Sequence, residues 1–571
     1  MIRWFAPEAA PQAGPEGRRR HTCPVCGKTG DHPVVLTVAE THRTHVLLRC
    51  GICTAHFYED RTPPSYENEP SEDYTAYYAE QGADVWGMTE TLSRLRAHRP
   101  ASLLDVGCAF GFTVDMAARS FGWRAVGVDP CGLARSGAKL LDAPIITRYL
   151  DRDSDIGEPF DIVHSSEVIE HIDDPYGFID LLRHHLAPGG VVVLKTPNAE
   201  ALTPLFAQGM LRALLAVGSH LILYTPLSIK QALRKAGFDH VVVEANGSGL
   251  TAFASDAPIT LSSAGGEGGH ARVYSRYLEE RIRVSPKGGP VWNGAAARLF
   301  RHRVLSGQYL EALEIYGTLA ETYEETFGLD LLRPRRIPRG ACDPTNGSVD
   351  NPGRARQAPY NLASVLYTRG VLARCLPAQD PLETLAFLRV AESLAIEMGG
   401  ALQAGGLFDG DLENTVFLAR CDAVDALWHV DPDAAIDTLA ALGRMTESRF
   451  DGHTVVPPAL RLHKAAQMFV RLVHDGDYRL AVRLSGLFDD LDVVERSLPP
   501  DNTLLHLVFC LAILDLNVLD RRNRALDRLH RVKHLGERLE QVPEQAEGAR
   551  HMVSVAIEHI AMVTALETPS S

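Results

Sequence analysis

Between residues 101 and 196 short apolar runs alternate with stretches of helical period. "SLLDV" (102–106), "RAVGVD" (124–129), "PIITRYL" (144–150), "FDIVHS" (160–165) and "GVVVLKT" (190–196) read as buried strands. Strands that alternate with amphipathic helices predict a doubly wound parallel sheet, an α/β Rossmann-like domain. Upstream, "VVLTV" (34–38) and "HVLLR" (45–49) read as strands of a small separate ribbon. From Ala254 to Pro290 the chain turns rich in Gly, Ser and Pro, which marks a junction. Beyond it the period is helical to the end, as in "DPLETLAFLRVAESLAIEMG" from Asp380 and "DPDAAIDTLAALGRM" from Asp431. The pattern therefore predicts a multidomain chain: a ribbon over 18–60, an α/β domain with its N-terminal linker over 61–255, a junction over 256–290, and an all-α domain over 291–567.

Composition narrows the class. A chain of 571 residues, 45% apolar and 23% charged, suits a protein of roughly two to four globular domains. It holds no apolar run of about 18 residues, and "MIRWFAPEAAPQAGPEGRRR" has no secretory apolar core, so a cytoplasmic protein without a membrane span is expected. The formal charge of -15 excludes bulk nucleic-acid binding. A basic loop over 333–357, opening "RPRRIPRG", interrupts the helical array and reads as a solvated loop or as a contact for an anionic partner.

Of the ten cysteines, Cys23 and Cys26 in "CPVCG" and Cys50 and Cys53 in "LRCGIC" form two C-x2-C pairs. Two such knuckles on neighbouring hairpin turns place four thiolates tetrahedrally around Zn²⁺. Four protein ligands leave no open position, so the zinc is expected to be structural. The following linker carries Tyr66, Tyr74, Tyr77 and Tyr78, which either line a substrate mouth or pack the linker onto the next domain.

The stretch "LLDVGCAFGF" runs from a strand through Gly107, Ala109 and Gly111 into a helix. A dinucleotide turn needs glycines at the first, third and sixth positions and avoids negative charge beside the pyrophosphate. Here the spacing is first, third and fifth, and Asp105 stands two residues before Gly107. A carboxylate there disfavours a diphosphate and favours the ammonium and sulfonium of S-adenosylmethionine. Asp129, at the end of the next strand, suits ribose hydroxyls and serves either ligand.

These segments together resemble the class I S-adenosylmethionine-dependent methyltransferases, in the branch of small-molecule enzymes that includes ubiquinone-type O-methyltransferases. "LLDVGCAFG", "VGVDP", "PFDIVHSSEVIEHIDDP", "HLAPGGVVVLKTPN" and "HLILYTPLSIKQALRKAGF" carry the resemblance, which covers about Tyr74 to Ser255. It implies that Asp105, Gly107, Ala109 and Gly111 hold the methionine end, Asp129 the ribose, and Pro130, Leu150 and Asp151 the adenine side. Ser165, Ser166 and Glu167 fall between cofactor and acceptor, and His171 and His220, with Tyr224 as a companion, fall at the pocket mouth as candidate bases. No residue set with evident Mg²⁺ spacing stands out, so no catalytic metal is expected.

The ribbon, tyrosine linker and methyltransferase segment also resemble bacterial sugar-modifying methyltransferases, although the further α/β domain usual in them has no counterpart here. The resemblance implies a small-molecule or glycan acceptor, a hydroxyl of a sugar or polysaccharide precursor, with a quinone, polyketide or other metabolite as the alternative. In the C-terminal half, Ala312, Ala435 and Ala481 recur at tight-packing positions, which resembles degenerate tetratricopeptide repeats. A plain helical bundle reads equally well. Either architecture offers a surface for a protein partner, and a scaffold with a secondary methyltransferase core is the alternative of a different class.

Overall fold

The computed structural model describes residues 2–5, 17–40, 43–67, 74–82, 84–202, 211, 214–262, 269–338, 358–377, 380–404, 407, 409–428, 430–444, 458–542 and 545–565. The chain divides into two compact units, Met1–Leu332 with Gly347–Val365, and Arg333–Asn346 with Leu366–Ser571. Most of the basic loop, at 339–357, the start of the "LFAQGMLRALLAVG" segment and the Gly-rich part of the junction lie outside the described residues.

In the first unit, strands β1 (Ile2–Trp4), β2 (Arg18–Thr22), β3 (Thr29–Ala39), β4 (Thr44–Arg49) and β5 (His56–Tyr58) form an antiparallel ribbon. The two cysteine pairs sit on its turns, between β2 and β3 and between β4 and β5. Each turn closes the same way: Gly27 N–H donates to the Cys23 carbonyl at 2.9 Å, and Thr54 N–H to the Cys50 carbonyl at 3.1 Å. A strand from much later in the chain, β11 (Ile222–Leu223), adds to this sheet by pairing antiparallel with β5.

The central sheet runs β12-β13-β10-β9-β6-β7-β8 among the described residues. Its parallel part is β6 (Ser102–Val106), β7 (Arg124–Val128), β8 (Ile145–Ile146), β9 (Phe160–Ser166) and β10 (Leu186–Pro197). β12 (His240–Asn246) and β13 (Gly249–Ser255) close it as an antiparallel hairpin. Every residue of β6 is buried, as expected for a strand covered on both faces. The strand order reverses between β6 and β9, and in such sheets the crevice beyond the carboxyl ends at that point receives the ligand.

Around the sheet lie α1 (Thr75–Gln81), α2 (Val85–Arg94), α3 (Phe112–Phe121), α4 (Gly132–Leu141), α5 (Pro175–His184) and α6 (Pro226–Lys235). Three later helices, α7 (Gly269–Val284), α8 (Pro290–Leu305) and α9 (Tyr309–Phe327), belong to the same unit. α7 docks on α3 through a buried charge: Asp115 accepts from Tyr277 Oη at 2.6 Å and from the Arg281 guanidinium. α8 docks on α1, with Arg298 Nη1 donating to the Glu80 carbonyl at 2.7 Å. The compact unit thus runs past the compositional junction at 256–290, because the polar side chains of α7 and α8 complete groups buried in the α/β layer.

The second unit is helical throughout its described residues. Helix Pro381–Ala404 packs on Gly410–Trp428 and that on Pro432–Arg444, while Asn502–Asn517, Arg522–Leu539 and Ala546–Ala565 stack in turn. Ala435 and Ala481 are fully buried in this unit, whereas Ala312 is buried in the first.

Candidate functional site

A cavity of about 1050 Å³ opens at the carboxyl ends of β6, β7 and β9. Ligand pockets commonly span ~300–1,000 Å³, so this one has room for two reactants side by side. Asp105, Gly107, Ala109, Gly111, Asp129, Pro130, Leu150, Ser166, Glu167 and His171 all line it. Ser165 and Asp151 do not: the Ser165 hydroxyl is buried and donates to the Val106 carbonyl at 2.9 Å, and Asp151 stands exposed on its loop.

The turn after β6 is built for close approach. Gly107 has φ of +77°, and a Cβ there would stand 2.3 Å from Val168 Cγ2. Ala109 holds φ of 45°, and its N–H donates to Asp129 Oδ2 at 2.8 Å. The other oxygen, Oδ1, accepts from Cys131 N–H at 2.8 Å. Asp129 therefore ties the ends of two neighbouring strands together at the head of the cavity. Asp105 lies deeper, with Oδ1 2.6 Å from His164 Nδ1.

The opposite wall carries titratable groups. His171 Nδ1 lies 2.9 Å from the Ser219 carbonyl and 2.7 Å from Tyr66 Oη. A carbonyl only accepts, so Nδ1 carries the hydrogen and Nε2 is the basic nitrogen. Burial holds the His171 imidazole below its ordinary range, which keeps it neutral near pH 7. Glu167, at a positive φ of 55°, and Glu170 are both pushed up by burial, and Glu170 further by the Glu167 charge. Thr196 Oγ1 donates to Glu170 Oε2 at 2.9 Å.

His220 and Tyr224 do not reach the cavity among its described lining residues. β11 carries this segment into the ribbon sheet, which sets His220 behind His171, ring centroids 4.8 Å apart, and leaves Tyr224 fully buried in the core. Burial lowers His220 to about 4. Glu170, His171 and His220 nevertheless bring one donor atom each to within 4.8 Å of one another, a grouping able to hold a cation that their spacing in the chain does not advertise.

Several wall residues escape a reading of the sequence. Arg94, from α2, is paired with Glu244 of β12, and Lys195 Nζ lies 2.8 Å from Asp84. These pairs join residues more than a hundred positions apart. His164 carried a signal: it is a polar residue where the apolar alternation of "FDIVHS" should continue. The tyrosine linker divides, with Tyr66 on the cavity wall and Tyr77 packed against Tyr78 and Tyr360.

Away from the cavity, the sulfurs of Cys23, Cys26, Cys50 and Cys53 lie within 4.8 Å of one another, and Cys23, Cys50 and Cys53 are buried. Cys23 Sγ is 3.5 Å from Cys53 Sγ and Cys26 Sγ 3.6 Å from Cys50 Sγ. The Cys53 thiol beside it draws Cys23 down to about 5, against the opposing effect of burial. The same contact pushes Cys53 up and burial pushes Cys26 up, so the cluster shares its charge unevenly; four sulfurs this close suit a soft divalent ion.

Residues 78–243 match the family model described as a methyltransferase domain, so the chain carries such a domain over most of the cavity lining. A ubiquinone biosynthesis O-methyltransferase of Rhizobium rhizogenes is 34% identical over 149 residues, 24% of this chain and 59% of the relative. The enzyme of the same name from Cereibacter sphaeroides is 33% identical over 151 residues, 24% of this chain and 60% of the relative. The chain thus spans about three fifths of the length of these curated relatives. Among solved structures, human N-acetylserotonin methyltransferase in complex with S-adenosylmethionine aligns with a TM-score of 0.28 at 16% identity, covering 33% of this chain and 57% of that one.

Proposed function

We propose, starting from the methyltransferase domain at 78–243, that this protein transfers a methyl group from S-adenosylmethionine to a hydroxyl of a small neutral molecule. One observation carries the reading: the Gly107 turn with Asp129 and the His171 imidazole line a single cavity. Bound S-adenosylmethionine supplies an activated methyl carbon. Asp129 would orient the ribose, and the turn at Gly107 to Gly111 would admit the methionine end closely. His171 would accept the hydroxyl proton at Nε2, with Tyr66 and Ser219 holding its ring, while the methyl passes to the acceptor oxygen and its bond to sulfur breaks, leaving the neutral thioether S-adenosylhomocysteine. Alignment and exclusion of water supply the rest.

The acceptor follows from charge. Of the three Arg and Lys side chains on the described wall, Arg94 and Lys195 are held by carboxylates and Arg148 stands exposed, so the wall offers a diphosphate a single exposed cation rather than a clamp. Trp86, Tyr149 and Phe178 add aromatic surface. A quinol-like or phenolic hydroxyl fits this wall better than a nucleotide-linked sugar. The names of the relatives agree with that choice.

Isothermal titration with S-adenosylmethionine, then a transfer assay comparing catechols, free sugars and nucleotide sugars, with and without Mg²⁺, tests the reading. Binding followed by catechol methylation is expected; absence of binding overturns it, and methylation confined to sugars overturns the acceptor. His171→Gln should lower kcat by about 10²–10⁴ while cofactor affinity holds. Cys23, Cys26, Cys50 and Cys53 would hold one structural Zn²⁺, read out as metal content per chain and its loss in Cys50→Ser.

A further inference from the structure

Asp105 and His164 stand opposite one another in the register of β6 and β9, at the floor of the cavity. Their side chains are 3% and 1% exposed. Because a carboxylate accepts, the 2.6 Å contact places a ring hydrogen on Nδ1, and in the neutral imidazole this leaves a lone pair on Nε2. That nitrogen is buried and has no hydrogen-bond partner in the structure. A buried acceptor without a donor is costly, and most such atoms in folded proteins are paired. The group that would satisfy it must be a donor, and the carboxylate behind the ring favours one that is positively charged.

We propose that His164 Nε2 receives the α-ammonium of S-adenosylmethionine, with Asp105 acting through the imidazole as a positioning residue. This rests on the methyltransferase reading above. The carboxylate beneath the Gly107 turn then governs the methionine end at one remove, by fixing the tautomer of His164 and supplying the charge behind it.

The test compares two ligands on the full chain: S-adenosylhomocysteine, which carries the ammonium, and 5′-methylthioadenosine, which lacks the whole amino-acid end. His164→Asn keeps a donor for Asp105 but has no atom at the Nε2 position. It should weaken S-adenosylhomocysteine by about tenfold or more and leave methylthioadenosine unchanged. His164→Gln, with an acceptor near the Nε2 position, should recover most of the loss. Parallel losses for both ligands, or no loss for either, in a folded His164→Asn chain would overturn the inference and leave the methyltransferase reading standing. A wild-type chain that binds neither ligand would overturn that reading first. Should the Asn variant not fold, the wild type still decides the point: the deaminated analogue of S-adenosylhomocysteine must bind about tenfold more weakly than the parent, and equal binding refutes the proposal.

Discussion

Ala109 sits where the chain bends left-handed, at φ of 45°, between two glycines that share the positive region. An L-residue there costs about 1 kcal/mol or more, partly offset because glycine loses more freedom on folding. Ala109→Gly should therefore raise stability by up to about 1 kcal/mol in urea unfolding, with cofactor affinity no weaker. Two buried imidazoles set a pH dependence. Burial lowers both His56 and His220 from 6.5 to about 4, helped by Arg49 at the first and His171 at the second. In the unfolded chain they take a proton near 6.5, so the unfolded state binds more protons between these values. Their contribution is complete above pH 6.5 and is lost as pH falls toward 4, at about 1 kcal/mol each by about pH 5.5. The raised Glu167 and Glu170 carboxyls act with opposite sign, so the comparison with a variant carries the prediction. Urea unfolding near pH 7.5 and about pH 5.5 should show His220→Gln losing about 1 kcal/mol less than wild type.

At the scale of elements, the ribbon is more than an appended module. β5 pairs with β11, Tyr58 Oη donates to the Leu215 carbonyl at 3.1 Å, and Thr54 Oγ1 meets Thr225 Oγ1 at 2.6 Å. The same segment returns to the cavity wall, where Leu221 N–H donates to the Glu170 carbonyl at 2.7 Å and the Ser219 carbonyl holds His171. Stripping the Zn²⁺ proposed for the four cysteines with a chelator should raise amide exchange across residues 214–225 and leave cofactor affinity unaltered, since the turn at Gly107 to Gly111 touches none of these bonds. On the other flank, α7 pins α3 through one buried ion pair. Arg281→Met removes the buried cation while Arg119 Nε and Tyr277 Oη still bond the Asp115 carboxylate, and should cost about 2 kcal/mol in chemical unfolding.

For the whole molecule, the boundary between units matters most. A chain ended after residue 255 lacks Tyr277 and Arg281, two of the groups that bond Asp115, bares the core that Tyr274, Tyr277 and Leu278 cover, and should be recovered insoluble. One ended after residue 376 retains the first unit entire and should bind S-adenosylmethionine with the Kd of the full chain, measured by titration. Among the described residues no helix is long and apolar enough to cross a membrane.

What the sequence by itself determined is local and periodic. The strands of the sheet, the glycine turn with Asp105 and Asp129, and the paired cysteines are each written in a few consecutive residues, because strand period, turn conformation and knuckle spacing are short-range properties. The meaning of single polar residues was settled only by tertiary structure. His171 and His220 look alike in sequence, yet pairing of β11 with β5 leaves the first on the cavity wall and takes the second behind it. Asp105 reads as a lone acid before the glycines, and only the register of β6 and β9 sets His164 against it. The junction after residue 255 reads as a domain end until Arg281 is found neutralising Asp115. Each of these depends on contacts between residues tens to hundreds of positions apart, brought together by burial of apolar surface, which a linear pattern does not encode.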